Sequence, residues 1–313
     1  MISEKYLAEK SDNLLETGGF PQSENQNIES GKFVVASYNI RYAVGSFLIS
    51  GGILRKAGIS RPSRRTILVK NNIQKTAKVF TDSKLLPKPD FIALQEADKE
   101  TKRAGRIHTA RALAQEMKLN YAHASLGLPR NIEPIRRQWY LDFEEPILQS
   151  DEGETGLAML TKQKVENIER IELPWNNCPW RPRIAMKAIV IVNGKKILIF
   201  NSHIDPHAKI TEQNAQHEAI LSLAEKENLP TIYLGDFNTL TPKARKLTRQ
   251  YLEKRGLITP FINGNATWRA GLFTNHTDWI FSRGINCLRH GIAKPLSVSD
   301  HYPIWAEFDL SSI

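Results

Sequence analysis

A chain of 313 residues with 41% hydrophobic and 24% charged side chains can bury a sizeable core, as one large domain or two small ones. No apolar run approaches the roughly 20 residues of a membrane-spanning helix; the longest, Phe47 to Leu54, is broken by Ser50, Gly51 and Gly52. The net charge of +10 is uneven: residues 1–31 hold six acids and two bases, a net −4, which leaves +14 for the remainder. A body of that sign suits polyanions such as nucleic acid, an anionic membrane or phosphorylated metabolites, and equally a solvated basic surface.

Residues 1–31 are rich in Glu, Asn, Gln, Ser and Gly without sustained periodicity. They read as a flexible tail, with a short helix near Lys5 to Leu15. They lack the basic start, apolar middle and small-residue cleavage site of a secretory signal. The two cysteines, Cys178 and Cys287, have no metal-ligand spacing and form no disulfide framework, so a reducing, cytoplasmic setting is expected. No linker divides the rest of the chain, and one domain is expected over residues 32–313.

From Lys32 onward, short apolar runs rich in Val, Ile and aromatics predict strands at Phe33–Ile40, Phe91–Gln95, Tyr121–Ala124, Gly156–Thr161 and Ile184–Val192. Further strands are expected at Lys196–His203, Thr231–Leu234, Thr277–Phe281 and Ile304–Phe308. Asn193-Gly194 joins two of these runs and readily supplies the positive φ angles of a two-residue hairpin turn. Helical spacing appears at Thr66–Asp82, Ile107–Lys118, Ala208–Glu227 and Pro242–Arg255, the last opened by Thr241 as N-cap and Pro242 at the first helical position. Strands dominate and no regular βαβ alternation appears, so the class is α+β or a layered α/β sandwich.

Polar residues at the ends of apolar strands contribute nothing to the core, and that is where chemistry is sought. Asn39 ends the first strand, and the second runs into Gln95-Glu96. Next come Gly153–Gly156 (GETG), Asn201–Asp205 (NSHID) and Leu234–Thr239 (LGDFNT), then His276–Trp279 (HTDW) and Ser299–His301 (SDH). Asp236 and Asn238 share one face of extended backbone; a carboxylate there can orient a water or take its proton, and an amide can donate to a phosphoryl oxygen. Asp and Asn also form strand-to-helix turns, and that reading stays open. Glu96 could be one of the few carboxylates Mg²⁺ needs, completed by the Asn39 amide oxygen, or could simply begin a polar loop. His203 and Asp205 share a face; Asp278 could hold His301 in one tautomer.

The combination and order of SYNIR, FIALQEAD, ETGLAML, NSHID, LGDFNT, TDWIF and SDHYPI resemble the endonuclease/exonuclease/phosphatase superfamily over about Lys32 to Asp309. The segment QEADKETKRAGRIHTARALA is similar to its bacterial branch. The resemblance implies a four-layered α/β sandwich of the deoxyribonuclease I type, two central β-sheets flanked by helices, with the site in a cleft at one sheet edge. It implies a catalytic Mg²⁺ or Mn²⁺ at Glu96, with Asn39 beside it and Asp300 in support. Asp236 would activate water, Asn238 would bind the phosphoryl group, and Asp278 would orient His301. His203 matches a second histidine of the nuclease and sphingomyelinase branches, and Glu154 falls where that histidine's partner lies.

The expected activity is metal-dependent phosphodiester hydrolysis, with a nuclease as first reading given the +14 body. A lipid-headgroup phosphodiesterase or a phosphomonoesterase is the alternative, and a non-catalytic binding protein on the same fold the least favoured. Two stretches bear on substrate: the basic Arg41–Arg65, and Leu126–Asp151 with Arg130, Arg136, Arg137, Trp139 and Tyr140. Either could track phosphates and stack bases, or pack locally as surface loop. The first, apolar then basic, could instead dock on an anionic membrane.

Overall fold

The computed structural model describes residues 7–11, 14–19, 31–45, 62–82, 84–128, 147, 150–174, 182–294 and 298–313. The apolar Phe47–Leu54 run, residues 46–61 of the first basic stretch, the Arg130–Tyr140 segment and Cys178 lie outside the described residues. In chain order the strands are β1 Leu7–Ser11, β2 Leu15–Gly19, β3 Lys32–Asn39, β4 Phe91–Gln95, β5 Asn120–Ser125, β6 Gly156–Thr161, β7 Lys164–Leu173 and β8 Arg183–Val192. They continue as β9 Lys195–His203, β10 Thr231–Asp236, β11 Trp268–Ala270, β12 Phe273–Asn275, β13 Asp278–Arg283, β14 Asn286–Ile292 and β15 Ile304–Asp309. The helices are α1 Pro62–Asp82, α2 Thr109–Met117, α3 Ile210–Glu227 and α4 Pro242–Lys254.

Two mixed sheets organise these elements. The larger runs β1-β2-β5-β6-β4-β3-β15-β14 and the smaller β13-β10-β9-β8-β7, with β11-β12 as a separate hairpin. β3 lies parallel to β4, and β9 parallel to β10. Period-two alternation decides what each face meets. In β3 and β4, Phe33, Val35, Phe91 and Ala93 join the core between the sheets, with Ile184, Leu198 and Ile232 among their partners. The alternate residues Ala36, Tyr38, Ile92 and Leu94 meet Val69, Ile73 and Phe80 of α1 and Leu113 and Met117 of α2. On the far side Ile220, Leu221 and Leu252 of α3 and α4 complete the core around the second sheet. Each such side chain taken fully out of water contributes roughly 1.5–3 kcal/mol. This is the expected four-layered sandwich, two sheets flanked by helices.

All nine expected strands form. The Asn193-Gly194 turn has φ of +50 and +77, as a two-residue hairpin needs, and Thr241 caps α4 by accepting from Ala244 N at 3.0 Å. The N-terminal expectation is corrected. Residues 7–11 and 14–19, the described part of that region, are strands rather than helix or loose tail; β1 and β2 pair antiparallel, and β2 continues the larger sheet by pairing with β5, Leu15 opposite Ala124. Two physical terms outweigh the polar composition. The open edge of β5 offers unpaired backbone groups, and Glu16 of β2 is buried among Lys99 Nζ at 2.7 Å and Arg111 Nη2 at 2.6 Å. Among the described residues no helix is long and apolar enough to cross a membrane.

Candidate active site at the strand ends

The alternation that builds the inter-sheet core also delivers the site. Counting on from Phe33 and Val35, the inner face of β3 presents Ser37 and then Asn39; from Phe91 and Ala93, the inner face of β4 presents Gln95. Where the apolar side chains end, polar ones bond across the layer. Gln95 Nε2 donates to Ser37 Oγ at 3.2 Å and to Asn201 Oδ1 of β9 at 2.7 Å, while Asn201 Nδ2 donates to the carbonyls of Leu94 and Ala158. These cross-linked amides form a floor, and the titratable groups stand on it.

Asn39 Nδ2 donates to Glu96 Oε1 and to Asp236 Oδ2, each at 3.1 Å, so two carboxylates from different sheets converge on one amide. Its Oδ1 accepts from Arg41 N at 3.0 Å. Asp236 ends β10, in register with His203 of β9 on one side and Asp278 of β13 on the other. His203 Nε2 and His301 Nε2 each lie 3.7 Å from Asp236 Oδ2. His301 Nδ1 faces Asp278, donating at 2.9 Å to Oδ2 with Oδ1 at 3.1 Å. Asp278 Oδ2 also accepts from Thr267 Oγ1 at 2.7 Å and Thr277 Oγ1 at 2.9 Å. A carboxylate so fully engaged fixes the orientation of the ring, leaving Nε2 toward Asp236.

Backbone geometry at these strand ends is under demand. Gly235 has φ +146, and a Cβ there would lie 2.0 Å from the Ser202 carbonyl oxygen; only glycine lets β10 pass β9 this closely just before Asp236. Asn238 has φ +50; its N–H donates to Asp236 Oδ1 at 2.9 Å and its Nδ2 to Ile204 O at 2.8 Å. The motif therefore forms the turn that Asp and Asn favour. Glu96 also carries a positive φ, +51, an uncommon conformation for a non-glycine residue and one that clusters at functional sites.

Electrostatically the cluster carries more negative than positive charge. Burial pushes the Asp236 carboxyl up and Asp278 pushes it further, against the lowering influence of His301, the Asn39 amide and the Asn238 N–H. Burial opposes charge on His301, but Asp278 and Asp236 outweigh it and raise the imidazole well above its usual range. Asp236, Asp278 and His301 have ligand atoms within 4.8 Å of one another. Because Asp278 is already committed to two threonines and His301, the donors better placed for a hard cation are the carboxylates of half-buried Glu96 and of Asp236, while Asn39 turns its Nδ2 to both and its Oδ1 to Arg41 N. Oxygen donors carrying surplus negative charge fit a divalent metal.

Asp300 stands at the rim. Its Oδ2 accepts from Trp268 Nε1 at 3.2 Å and faces Arg41 Nε at 3.6 Å, while Ser299 Oγ reaches Asn39 O at 2.8 Å. Glu154 lies on the loop before β6; its backbone pairs with Lys99, and its Oε2 accepts from Leu128 N at 3.3 Å. Asp205 turns to His207 N at 2.9 Å and Arg183 Nη2 at 3.5 Å. Sequence reasoning misses Thr267 and Trp268, which no motif marks, and Arg41, which SYNIR contains without singling out.

The family model described as Endonuclease/Exonuclease/phosphatase family matches residues 36–301. No curated protein matches the chain. Among solved structures, an endonuclease/exonuclease/phosphatase from Bacteroides vulgatus is 15% identical, covering 88% of this chain and 98% of its own, with a TM-score of 0.59. The human Nocturnin catalytic domain with bound sulfate is 16% identical, covering 90% and 95%, with a TM-score of 0.57. A mannosyl-6-phosphatase from Bacteroides thetaiotaomicron is 18% identical, covering 88% and 99%, with a TM-score of 0.53. At such identities the structures speak for the fold alone, and the family match carries the assignment: the chain belongs to the endonuclease/exonuclease/phosphatase family.

Proposed function

We propose that this protein hydrolyses phosphodiesters with a divalent metal, Mg²⁺ or Mn²⁺, and that nucleic acid is its substrate. The observation that carries the reading is the Asp236 carboxylate lying 3.7 Å from the Nε2 of two imidazoles, with a second carboxylate, Glu96, joined to it through Asn39. Glu96 would hold the cation, oriented by the Asn39 amide, with Asp300 supporting from the rim. When bound, the metal neutralises charge developing on the phosphate oxygens.

The protein's own groups do the rest. Asp236 orients the attacking water and takes its proton, and its upward-shifted carboxyl suits proton exchange near neutral pH. His301, held charged and oriented by Asp278, donates through Nε2 to a phosphoryl oxygen; His203 does the same from the other side. Asn238, fixed by its turn, contributes its remaining amide hydrogen to the phosphoryl group, and Glu154 supports His203. Nucleic acid is preferred because the body carries +14. The phosphomonoester reading draws support from the mannosyl-6-phosphatase among the fold relatives.

The test is nicking of supercoiled plasmid with Mg²⁺, with and without chelator, by wild type and Asp236→Ala. Metal-dependent nicking that the substitution removes is expected. A folded, metal-binding wild type that nicks neither DNA nor RNA, yet cleaves a phosphomonoester or a lipid headgroup, would overturn the nucleic-acid reading.

A further inference from the structure

The loop after β4 contains a closed ring of interactions that the chemistry above does not use. Glu96 and Tyr42 face each other across it, and both have left-handed backbones, with φ of +51 and +42. Tyr42 N donates to Glu96 O at 2.9 Å. The Arg103 guanidinium lies over the Tyr42 ring, 4.0 Å from its centroid. Arg103 then grips Asp98 with two bonds, Nε to Oδ2 at 2.6 Å and Nη2 to Oδ1 at 2.8 Å. Two peptide units lead from Asp98 back to Glu96.

The ring is anchored on three sides. Thr101 Oγ1 donates to Asp98 Oδ2 at 2.6 Å. Asp98 O accepts from Thr109 N at 2.9 Å and Thr109 Oγ1 at 2.6 Å, fixing the loop to the start of α2. Ala97 N donates to Gly156 O at 3.0 Å. Tyr42, Asp98 and Thr101 are fully buried and Arg103 nearly so.

A buried ion pair is a poor way to gain stability, since well-packed apolar residues of equal volume do as well or better. It is a good way to fix one geometry. A planar fork over an aromatic ring permits one arrangement, and a strained non-glycine backbone persists only where its surroundings over-determine it. Here the strained residue carries the carboxylate assigned to the cation.

We propose that Asp98 and Arg103, seated on Tyr42, are positioning residues that hold the Glu96 carboxylate in its cation-binding pose. The assignment rests on the proposed function, in which Glu96 is a cation ligand. Groups that orient a ligand from behind typically govern metal affinity by 10–100-fold.

The experiment is titration of the full-length protein with Mn²⁺ alone, following free Mn²⁺ by electron paramagnetic resonance, with thermal melting of each variant. Four proteins are compared: wild type, Glu96→Gln, Arg103→Lys, and the double variant Asp98→Leu/Arg103→Met, which removes both buried charges together and so preserves a packed fold. Glu96→Gln is expected to abolish the tight site. The folded double variant is expected to bind Mn²⁺ about 10–100-fold more weakly. Arg103→Lys, which keeps the charge but loses the fork and the stacking, should fall between wild type and the double variant. The Mg²⁺ concentration for half-maximal hydrolysis should rise in the same order. A double variant that melts lower but binds Mn²⁺ like wild type would show a merely structural ion pair and overturn the proposal. Unchanged Mn²⁺ binding in Glu96→Gln would instead overturn the reading of Glu96 on which it rests.

Discussion

Glu16 and Asp236 are both buried carboxylates with histidines beside them, and their acidities move in opposite directions. Burial pushes each one up. At Glu16 this is outweighed by hydrogen bonds from His108, Lys99, Tyr121 and Arg111, and the carboxyl is held far below its usual range. At Asp236 burial is reinforced by Asp278, and the carboxyl rises. The difference lies in charge balance. Two fixed cations, Lys99 and Arg111, surround Glu16, whereas the positive charge beside Asp236 comes from the His301 imidazole. A carboxylate enclosed by fixed cations locks structure. One left with surplus negative charge is prepared for a ligand of the opposite sign.

Paired substitutions can break that comparison. Asp236→Asn should lower kcat/KM by about 10³-fold or more, a loss near 4 kcal/mol of transition-state stabilisation, without lowering the melting temperature, because a carboxylate repelled by Asp278 has been neutralised. A variant that loses stability along with activity would contradict the surplus-charge account. Glu16→Ala should do the reverse. It leaves the half-buried Lys99 and Arg111 and the Tyr121 hydroxyl without their partner, costing on the order of 1–3 kcal/mol in a denaturant melt, while the folded fraction keeps its kcat. A melt within about 1 kcal/mol of wild type would show the cluster to be incidental.

Acid sharpens the contrast from another side. His123 and His217 are buried neutral, each lowered to about 3, chiefly by burial. His123 Nε2 donates to Ala97 O at 2.7 Å, and His217 Nδ1 meets the Tyr233 hydroxyl at 2.8 Å. Their folded pKa values lie below the unfolded value near 6.5, so their contribution is present above that pH and is lost as pH falls toward the folded value. Stability should drop between about pH 6.5 and 4, on the order of 2–3 kcal/mol for each histidine. His217→Gln, measured by urea melts across that range, should flatten the slope; an unchanged slope would remove His217 from the account. The smallest effect belongs to the exposed network of Arg255 with Glu218 and Glu225, where Arg255→Ala should cost under about 1 kcal/mol, and less at high salt.

The legibility of these regions in the sequence follows from the same physics. Asn39, Glu96, Asp236, Asn238 and His301 are visible because each interrupts or borders an apolar strand, and period-two spacing puts Asn39 on the inner face. Glu16 has no such frame: LETGG is short and polar, and its partners are 95 residues away at Arg111 and further at Tyr121. β7 escapes for a different reason. Val165, Ile168 and Ile171 recur every three residues instead of alternating, which hides the strand, because it slips register between Glu166 and Glu169 around Asn167 at φ +50. β14 is similarly shifted between Cys287 and Arg289 and mostly faces solvent. Thr267, the donor that completes Asp278, sits outside every recognisable motif, since only the hairpin β11-β12 carries it there.

Ser299 Oγ donates to the Asn39 carbonyl across 260 residues of sequence, and β15 closes against β3 just beside it. In a chain made from one end to the other, Asn39 and Glu96 emerge well before His301. No unfinished chain that lacks residue 301 has the charged imidazole or the strand that seats it. In the proposed mechanism the site is therefore complete only once residue 301 has emerged and β15 has closed against β3.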